Sequence, residues 1–557
     1  MGDHLHEGHK GYQGHKGSDR TWIRAMAFMM LAATVGLAAR PGHVDRTMER
    51  TDMRKGPVPS GLNLRVLRVL RGETGSAAPD LTARWVSRVA NGDGTFRETV
   101  FVLNQQGSTL TGSVVNPTSE QPIVEGVVDG ASFSFASAPP ENPRRTTYRG
   151  TLAGDDITIK VVRPGRPDQT LTARRGPDSA GRLPERVPPP ELHVVPDNGL
   201  ARTPPMGWNS WNHFRGQVDD ATVRTIADAM VANGMRDAGY VYVNIDDTWE
   251  LGRDTTGHIT TNRKFPDMKA LADYVHGKGL KLGIYSSPGP FTCAGYEGSY
   301  GHEADDARTY AAWGIDYLKY DWCGAARLYR DSEMQAVYQK MGDALRATGR
   351  PIVFSLCQYG RQDVWKWGAE VGGNLWRTTG DISDTWESMS RIGFSQEQLA
   401  PYAKPGHWND PDMLEIGNGG MTETEYRTHM SLWALLSAPL LAGNDLRDVK
   451  PEILSILTNR DAIAIDQDPL GRQGRRLRSD GDVEIWTKPL SAGGRAIGVF
   501  NRGAGPAQAT IRCEEFQLCD ADVRDVWGHA QPAGFTSYSA SIPSHGVALL
   551  RITPRGK

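Results

Sequence analysis

The 557-residue chain is poor in cysteine, has no excess of charge of either sign, and contains a single long apolar run. Its 63 Lys and Arg nearly balance 65 Asp and Glu, so the formal charge is -2. This balance gives no electrostatic reason to expect a nucleic-acid partner. The five cysteines include no Cys-x-x-Cys pair, and a structural zinc site of the usual spacing is therefore not expected. The composition is that of an ordinary globular protein and does not indicate a chemistry.

The apolar run occupies residues 25–39, with Arg20 and Arg24 before it and small residues at its end. A basic flank, a short apolar core and a small-residue exit are typical of a secretory signal. The run is shorter than the roughly 20 residues that a membrane span needs. We therefore predict a leader over residues 1–40 with a Sec-type signal, and a periplasmic or extracellular protein with no other membrane span. Few cysteines fit an exported protein that uses disulfides sparingly. Whether the signal is cleaved stays open.

The next part of the chain predicts a linker, a β-rich module and a second linker. Residues 41–60 are charged and rich in Gly and Pro, as in a flexible linker. Residues 61–178 contain short alternating runs between turn residues, such as RETVFVL (97–103), which indicate an antiparallel barrel or sandwich. This module has no cluster of titratable residues, so it is either a spacer or docking module or a sugar-binding module. Residues 179–200 are Pro-rich and favour an extended, semi-rigid connector.

Residues 201–465 alternate between apolar strands and helices. Helices are predicted near 267–278, 303–313 and 332–347, and almost purely apolar strands such as YVYVNI (240–245) come between helical segments. Eight such units over about 250 residues predict a parallel (β/α)8 TIM barrel. Strand alternation returns in residues 466–557 and predicts a C-terminal antiparallel β-sandwich.

Charged side chains follow several of the predicted barrel strands, and in this fold chemistry is located at the carboxyl ends of the strands. They are Asp246 and Asp247 on strand two, Lys319 and Asp321 on strand four, Arg377 and Asp381 on strand six, and Asp410, Asp412 and Met413 on strand seven. Such a rim suits either divalent metal binding or glycoside hydrolysis. Nearby aromatic residues favour a sugar ligand, since aromatic faces stack on pyranose rings: Trp208, Trp211, Tyr285, Tyr359 and Trp408.

Five motifs in this order resemble glycoside hydrolase family 27, the α-galactosidases and α-N-acetylgalactosaminidases of clan D. The motifs are TPPMGWNSWNHF (203–214), NIDDTW (244–249), YLKYDWC (317–323), WRTTGDI (376–382) and WNDPDML (408–414). The resemblance covers residues 201–557 and leaves the N-terminal module outside. It implies a hydrolase without metal or organic cofactor, whose partner is a galactose-containing oligosaccharide or polysaccharide.

The resemblance also implies a retaining double displacement. Asp321 matches the nucleophile and Asp381 the general acid. Retention requires two carboxyl groups about 5–5.5 Å apart, and the nucleophile must be ionised while the acid is protonated. We expect Lys319, two residues before Asp321, to hold the nucleophile in its anionic form.

The residues that match the family's galactose contacts are Trp208, Asp246, Asp247, Tyr285, Arg377, Asp412 and Met413. Cys293 and Cys323 match a disulfide that packs against the sugar. Cys357 and Tyr359 resemble the plant-type arrangement in which a bulky side chain excludes an acetamido group at C2. A free 2-hydroxyl is therefore favoured.

The sequence departs from the family pattern at two places. A cysteine pair common in the family is replaced by Thr248 and the HFRG segment (213–216), which is consistent with loss of one disulfide. Ser287 stands where many members have Asp, next to the sugar. Cys513 and Cys519 could form a local disulfide.

We therefore predict an exported retaining α-galactosidase. The alternatives are a β-L-arabinopyranosidase or α-N-acetylgalactosaminidase of the same family, and a galactose-binding protein without activity. The Ser287 substitution keeps the arabinoside open, while the intact Asp246 and Asp247 argue against it. The natural glycan, its linkage and the oligomeric state stay open.

Overall fold

A computed structural model of the chain describes residues 80–138, 142–143, 145–528 and 534–555. The predicted leader, the first linker and the beginning of the predicted β module lie outside the described residues. Within these ranges, no helix combines the length and the apolar character that crossing a bilayer would require.

The N-terminal module is built from nine antiparallel strands. They are β1 (Ala83–Ala90), β2 (Phe96–Gln106), β3 (Thr109–Asn116), β4 (Ser119–Pro122), β5 (Val124–Asp129), β6 (Ser132–Ala136), β7 (Thr147–Ala153), β8 (Asp156–Val162) and β9 (Gln169–Arg175).

Eight of these strands close into a barrel. Their order is β2-β1-β9-β8-β7-β6-β5-β3, and pairing of β2 with β3 completes the ring, while β4 pairs with the end of β3. Alternate side chains point inward, as the period-two pattern predicts, and form a buried core that includes Trp85, Phe101, Phe135, Tyr148 and Ile159. Of the two architectures predicted for this module, the structure has the barrel.

The Pro-rich connector contains neither helix nor strand and lies against the strand-and-helix region that follows it. Val195 is buried and its N–H donates to the Glu370 carbonyl at 2.7 Å. The Val187 N–H donates to the Tyr300 hydroxyl at 2.6 Å. These contacts hold the extended segment along the barrel surface.

Parallel strands form the centre of the next region, with one antiparallel hairpin between the second and third of them. The strands are β10 (Met206–Asn209), β11 (Tyr242–Asn244), the hairpin β12 (Glu250–Arg253) and β13 (Ile259–Thr261), β14 (Lys281–Ser286), β15 (Tyr317–Asp321), β16 (Val353–Cys357), β17 (Leu375–Arg377), β18 (Trp408–Asp410) and β19 (Leu440–Ala442).

The eight parallel strands follow one another in chain order, and β19 pairs with β10. A bridge from Leu414, just after β18, to Ala442 spans the remaining gap. This is the predicted (β/α)8 barrel. Several strands are shorter than predicted: β17 ends at Arg377, so Asp381 lies in the following loop, and Asp412 likewise lies beyond β18.

The helices lie around the barrel. They are α1 (Trp211–Phe214), α2 (Asp220–Ala232), α3 (Met235–Ala238), α4 (Met268–Gly277), α5 (Glu303–Trp313), α6 (Met334–Ala347), α7 (Trp386–Phe394), α8 (Glu423–Leu436), α9 (Pro451–Leu457) and α10 (Arg460–Asp466). Asp219 and Asp267 cap α2 and α4 by accepting hydrogen bonds from backbone N–H groups. Between β16 and β17 the expected helix is replaced by a 3-10 segment, Arg361–Lys366, in which Gln362 and Asp363 have positive φ.

The C-terminal region is the predicted sandwich. A five-stranded sheet faces a two-stranded one, and the strands are β20 (Arg475–Asp480), β21 (Val483–Pro489), β22 (Arg495–Asn501), β23 (Ala507–Arg512), β24 (Ala521–Asp525), β25 (Ser537–Ile542) and β26 (Val547–Pro554). Side chains from both sheets, such as Ile497 and Ile511, share one core. Cys513 and Cys519 are joined by a disulfide.

Candidate active site

A cavity of about 730 Å³ opens at the carboxyl ends of the barrel strands. Twelve of the predicted site side chains line it: Asp246, Asp247, Tyr285, Cys293, Lys319, Asp321, Cys323, Tyr359, Arg377, Asp381, Asp412 and Met413. These residues come from strands two to seven and the loops after them. The barrel therefore brings together groups that are up to 167 positions apart in the chain, from Asp246 to Met413.

Asp321 is the last residue of β15 and is almost fully buried. Its Oδ1 accepts a hydrogen bond from the Tyr359 hydroxyl at 2.6 Å. Burial raises the pKa of Asp321 above its usual value, although Lys319, Tyr359 and Arg377 all act to lower it. The nucleophile candidate thus depends on donors and cations around it to stay ionised.

Asp381 lies at the mouth of the cavity, with its side chain 70% exposed. Arg377 Nη2 donates to its Oδ1 at 2.9 Å. Partial enclosure raises the pKa of Asp381, but the Arg377 guanidinium outweighs this, so the net pKa lies below the usual value. The expected division of pKa values, with the pKa of the acid raised and that of the nucleophile lowered, is therefore reversed in this structure.

The closest partner of Lys319 is Asp246 and not Asp321. Its Nζ donates to Asp246 Oδ2 at 2.8 Å, and the same oxygen accepts a hydrogen bond from Asn209 Nδ2 at 2.9 Å. Lys319 therefore acts on Asp321 through its charge rather than through a hydrogen bond, since it faces a neighbouring strand.

Asp247 is fully enclosed next to Asp246. It accepts hydrogen bonds from the Thr248 N–H at 2.7 Å and the Ala294 N–H at 2.8 Å. Burial raises the pKa of Asp247 to about 7, and the Asp246 charge adds to the shift. Two adjacent carboxyls with fixed positions can accept hydrogen bonds from two neighbouring sugar hydroxyls.

A second charged group closes the opposite side of the cavity. Arg377 bridges Asp381 and Asp412, whose Oδ2 lies 3.0 Å from Nη2. The Asp412 carboxylate also accepts a hydrogen bond from the Ile382 N–H at 2.9 Å, which ties the loop after β17 to the loop after β18.

Four residues that the sequence singled out do not line the cavity: Trp208, Cys357, Trp408 and Asp410. Trp208 is fully buried, and its indole N–H donates to the Asn444 carbonyl at 2.8 Å. Cys357 is a free, fully buried thiol whose Sγ lies 3.6 Å from Arg377 Nη1, and burial raises its pKa well above the usual range. Trp408 is likewise buried, with its indole N–H bonded to Ala201. Of the predicted aromatic groups, Trp211, Tyr285 and Tyr359 reach the cavity.

The cavity also contains polar residues that sequence reasoning did not assign to the site. They are Asn212, His213, Arg215, Ser383, Asp384, Glu415 and Asn418. Glu415 accepts hydrogen bonds from Asn212 and Asn418, both at 2.6 Å, and burial raises its pKa to about 7. Their position in the sequence could have indicated Asp384 and Glu415 as site residues, because each follows one of the family motifs within two residues.

The disulfide between Cys293 and Cys323 is confirmed. It forms part of the cavity wall, and the Tyr285 hydroxyl lies 3.0 Å from Cys293 Sγ. Ser287, the departure from the family pattern in this region, is fully buried and accepts a hydrogen bond from the Gly289 N–H through its hydroxyl. Its side chain stabilises the loop and is not among the groups that line the cavity.

Lys264 occupies the region of the missing second disulfide. Its Nζ donates to the Thr248 hydroxyl at 2.7 Å and to the Gly216 carbonyl at 3.0 Å. The two chain segments that would carry the cysteines are therefore joined by a hydrogen-bonded ammonium group. Thr248 has φ of +86°, which is unfavourable for a β-branched residue and needs such support.

A barrel with convergent carboxylates and aromatic side chains around an open cavity of about 730 Å³ is typical of a glycoside hydrolase. Residues 203–468 match a family profile described as Alpha galactosidase A, and residues 480–552 match the Alpha galactosidase C-terminal beta sandwich domain. Alpha-galactosidase 2 from Arabidopsis thaliana is 47% identical over 373 residues, 66% of this chain and 93% of the relative. The chain belongs to glycoside hydrolase family 27.

Solved structures agree with this assignment. Alpha-galactosidase I from Mortierella vinacea is 34% identical, with a TM-score of 0.61 over 64% of this chain and 99% of that one. An α-galactosidase from Saccharomyces cerevisiae, solved with raffinose, is 28% identical, with a TM-score of 0.60 over 64% of this chain and 99% of that one.

Proposed function

We propose that the chain is a retaining exo-glycosidase that releases terminal α-D-galactosyl residues from oligosaccharides or polysaccharides. The observation that supports this proposal most directly is that Asp321 and Asp381 line one cavity together with the Asp246–Asp247 pair. The names of the relatives and the raffinose in the yeast structure support galactosides as the substrate class.

In the first step, the Asp321 carboxylate attacks C1 of the galactosyl group while the bond from C1 to the leaving oxygen breaks. Asp381 gives its proton to that oxygen, and the aglycone departs. In the second step, Asp381 takes a proton from water, the water oxygen bonds to C1, and the ester to Asp321 breaks. Two inversions at C1 leave the configuration retained.

This assignment requires substrate binding to change the pKa of Asp381. A sugar hydroxyl that accepts a hydrogen bond from Arg377 would weaken the ion pair with Asp381 and raise the pKa of Asp381, so that it can hold a proton. Formation of the ester then removes the negative charge of Asp321, which lowers the pKa of Asp381 again. The same group can therefore act first as an acid and then as a base.

The substrate sugar is inferred from the cavity walls. Asp246 and Asp247 supply acceptors for sugar hydroxyls, and Tyr359 supplies bulk that disfavours an acetamido group at C2. A β-L-arabinopyranoside, which is a D-galactoside without C6, is the second candidate because Ser287 departs from the family pattern. Its buried position gives that departure little direct influence on the sugar.

Initial rates on the p-nitrophenyl α-D-galactoside, β-L-arabinopyranoside and α-N-acetylgalactosaminide test the proposal. We expect a clear preference for the galactoside, and its loss in Asp321→Ala. Azide should rescue Asp321→Ala with formation of β-galactosyl azide, whereas azide with Asp381→Ala should give α-galactosyl azide. The opposite configurations would exchange the two roles. Binding of galactose without hydrolysis by the unmodified protein would favour a lectin.

We also propose that residues 20–39 direct export, as the basic and apolar pattern indicates. The two disulfides support an oxidising compartment. Fractionation of expressing cells with N-terminal sequencing tests this. Activity confined to the cytoplasm with an intact N-terminus would contradict it.

A further inference from the structure

The N-terminal β module contacts the loops that carry residues of the cavity wall. The turn between β1 and β2 places Asp93 against the (β/α)8 barrel, where its carboxylate is almost fully buried. Its Oδ2 accepts a hydrogen bond from the Tyr296 hydroxyl at 2.7 Å, and its Oδ1 accepts one from the Thr95 N–H at 2.9 Å. A buried carboxylate is costly unless it is well hydrogen-bonded, so this contact has a defined geometry.

Tyr296 ends a tight turn that carries one half of the active-site disulfide. The Thr292 N–H donates to the Tyr296 carbonyl at 2.9 Å, and the Tyr296 N–H donates to the Thr292 hydroxyl at 3.0 Å. Cys293 and Ala294 lie inside this turn. Because the Ala294 N–H donates to Asp247, a displacement of the turn would displace a donor from the sugar-binding carboxylate.

A second path from Asp93 reaches the other side of Asp247. The Asp93 carbonyl accepts a hydrogen bond from the Arg263 N–H at 3.0 Å. The neighbouring Asn262 donates through Nδ2 to the Thr248 carbonyl at 2.9 Å. Thr248 is the residue with strained backbone immediately after Asp247, and this path therefore supports the same carboxylate from its C-terminal side.

The module also contacts the segment that follows the other half of the disulfide. Arg327 Nη1 donates to the Asn116 carbonyl at 3.2 Å, and Arg327 Nη2 lies 3.2 Å from Glu120. Pro117 packs on Gly295, where a Cβ would come within 3.1 Å of the proline ring. Both chain segments joined by the Cys293–Cys323 bridge are thus braced by the module.

We propose that the N-terminal module is part of the active-site scaffold, with Asp93 as a positioning residue for the sugar-binding carboxylate Asp247. Asp93 lies outside the region that matches the family profiles, so this support is added to the barrel by a separate domain. The inference rests on the proposed function, because it takes Asp247 to accept a hydrogen bond from a substrate hydroxyl. In this proposal the module is more than a spacer.

The test uses the full chain and the variants Asp93→Asn, Tyr296→Phe and their double variant. Asp93→Asn removes the charge and replaces one of the two acceptor oxygens by an NH2 group with little change of shape, and Tyr296→Phe removes the donor to Oδ2. Asp156→Asn, which lies in the same module and pairs with Arg174, is the matched control. The readouts are KM and kcat on the galactoside, the galactoside-to-arabinopyranoside ratio of kcat/KM, the Tm, and hydrogen exchange at residues 292–296.

We expect Asp93→Asn and Tyr296→Phe each to raise KM for the galactoside about fivefold to tenfold, with kcat changed less than about twofold. The galactoside-to-arabinopyranoside ratio should fall, since a misplaced carboxylate loses selectivity among hydroxyl patterns. The double variant should be no worse than the more impaired single one, because both remove one contact. Exchange at 292–296 should accelerate, and Asp156→Asn should match the unmodified protein.

Unchanged KM with faster exchange would overturn the positioning role, because the contact would then be structural only. A lower Tm with equal losses on both sugars, or additive effects in the double variant, would overturn it as well. If the unmodified protein hydrolyses neither sugar, the proposed function fails separately. The exchange measurement then still decides whether Asp93 holds the turn, and unchanged exchange would overturn the inference.

Discussion

Removal of the Tyr359 hydroxyl should shift the acidic limb of the pH profile. This hydroxyl donates to Asp321 at 2.6 Å in a site where the carboxyl is almost fully buried. The hydrogen bond stabilises the ionised form, so the Tyr359→Phe change raises the pKa of Asp321 further. A hydrogen bond to a charged group contributes about 1.5–3 kcal/mol, which corresponds to a pKa increase of about 1–2 units.

The sign of the effect follows from the proposed mechanism. Attack on C1 needs the ionised carboxylate, and activity is lost as the pH falls through the pKa of Asp321. The acidic limb of kcat/KM should therefore move to higher pH by about 1–2 units in Tyr359→Phe, while the alkaline limb is unchanged. The assay is kcat/KM for the p-nitrophenyl galactoside between pH 3 and 9, with a product detected independently of pH.

Tyr285→Phe is the matched control. Its hydroxyl also lies in the cavity, but it contacts Cys293 Sγ rather than the Asp321 carboxylate. A shift in the acidic limb of Tyr359→Phe but not of Tyr285→Phe supports the reasoning. An unmoved limb in Tyr359→Phe, with activity retained, would refute the assignment of that limb to Asp321 or the contribution of this hydrogen bond.

Three further predictions concern the surroundings of the site. A Cβ on Gly216 would lie 4.0 Å from that of Thr248, within the range for disulfides, so Gly216→Cys with Thr248→Cys should form a disulfide that raises the free energy of unfolding by up to about 3–4 kcal/mol. Thiol titration and unfolding with and without reductant test this, and free thiols in the folded protein would contradict it. Lys319→Met should lower the free energy of unfolding by about 3–5 kcal/mol and raise KM, because it leaves the Asp246 carboxylate buried without its cation. Thermal unfolding and initial rates test this, and an unchanged Tm and KM would contradict it. Burial raises the pKa of Glu415 from 4.5 to about 7, so its contribution to stability is full below pH 4.5 and is lost as the pH rises towards 7. The Tm of the unmodified protein should therefore fall between pH 5 and 8, and Glu415→Gln should reduce that fall. An equal fall in both proteins would count against the raised pKa.

Local patterns were sufficient to locate most of the candidate site. The alternation of apolar strands and helices predicts the barrel, and every barrel of this kind presents its strand ends on one face, so Asp246, Asp321 and Arg377 could be placed together without a structure. The motifs at those strand ends carry the resemblance to the family, which the profile match and the similarity to α-galactosidases confirm.

Properties that depend on packing between distant segments could not be read in this way. Trp208 and Cys357 belong to the right motifs, but their side chains turn into the barrel wall instead of the cavity. The direction of the pKa shifts at Asp321 and Asp381 depends on how deeply each is enclosed and on where Arg377 reaches. Neither quantity has a signal in sequence spacing.

The sequence by itself determined the eight-unit barrel and the sandwich and singled out Asp321 and Asp381 as candidates for the reacting carboxylates, because each rests on a local pattern of apolar spacing or a contiguous motif. Only the tertiary structure decided that the N-terminal strands close into a barrel, and that Lys264 joins the segments where a disulfide is missing. It alone placed Asp93 against Tyr296, 203 residues later in the chain. Contacts of that kind arise when complete domains pack together, and a linear pattern carries no record of which surfaces meet.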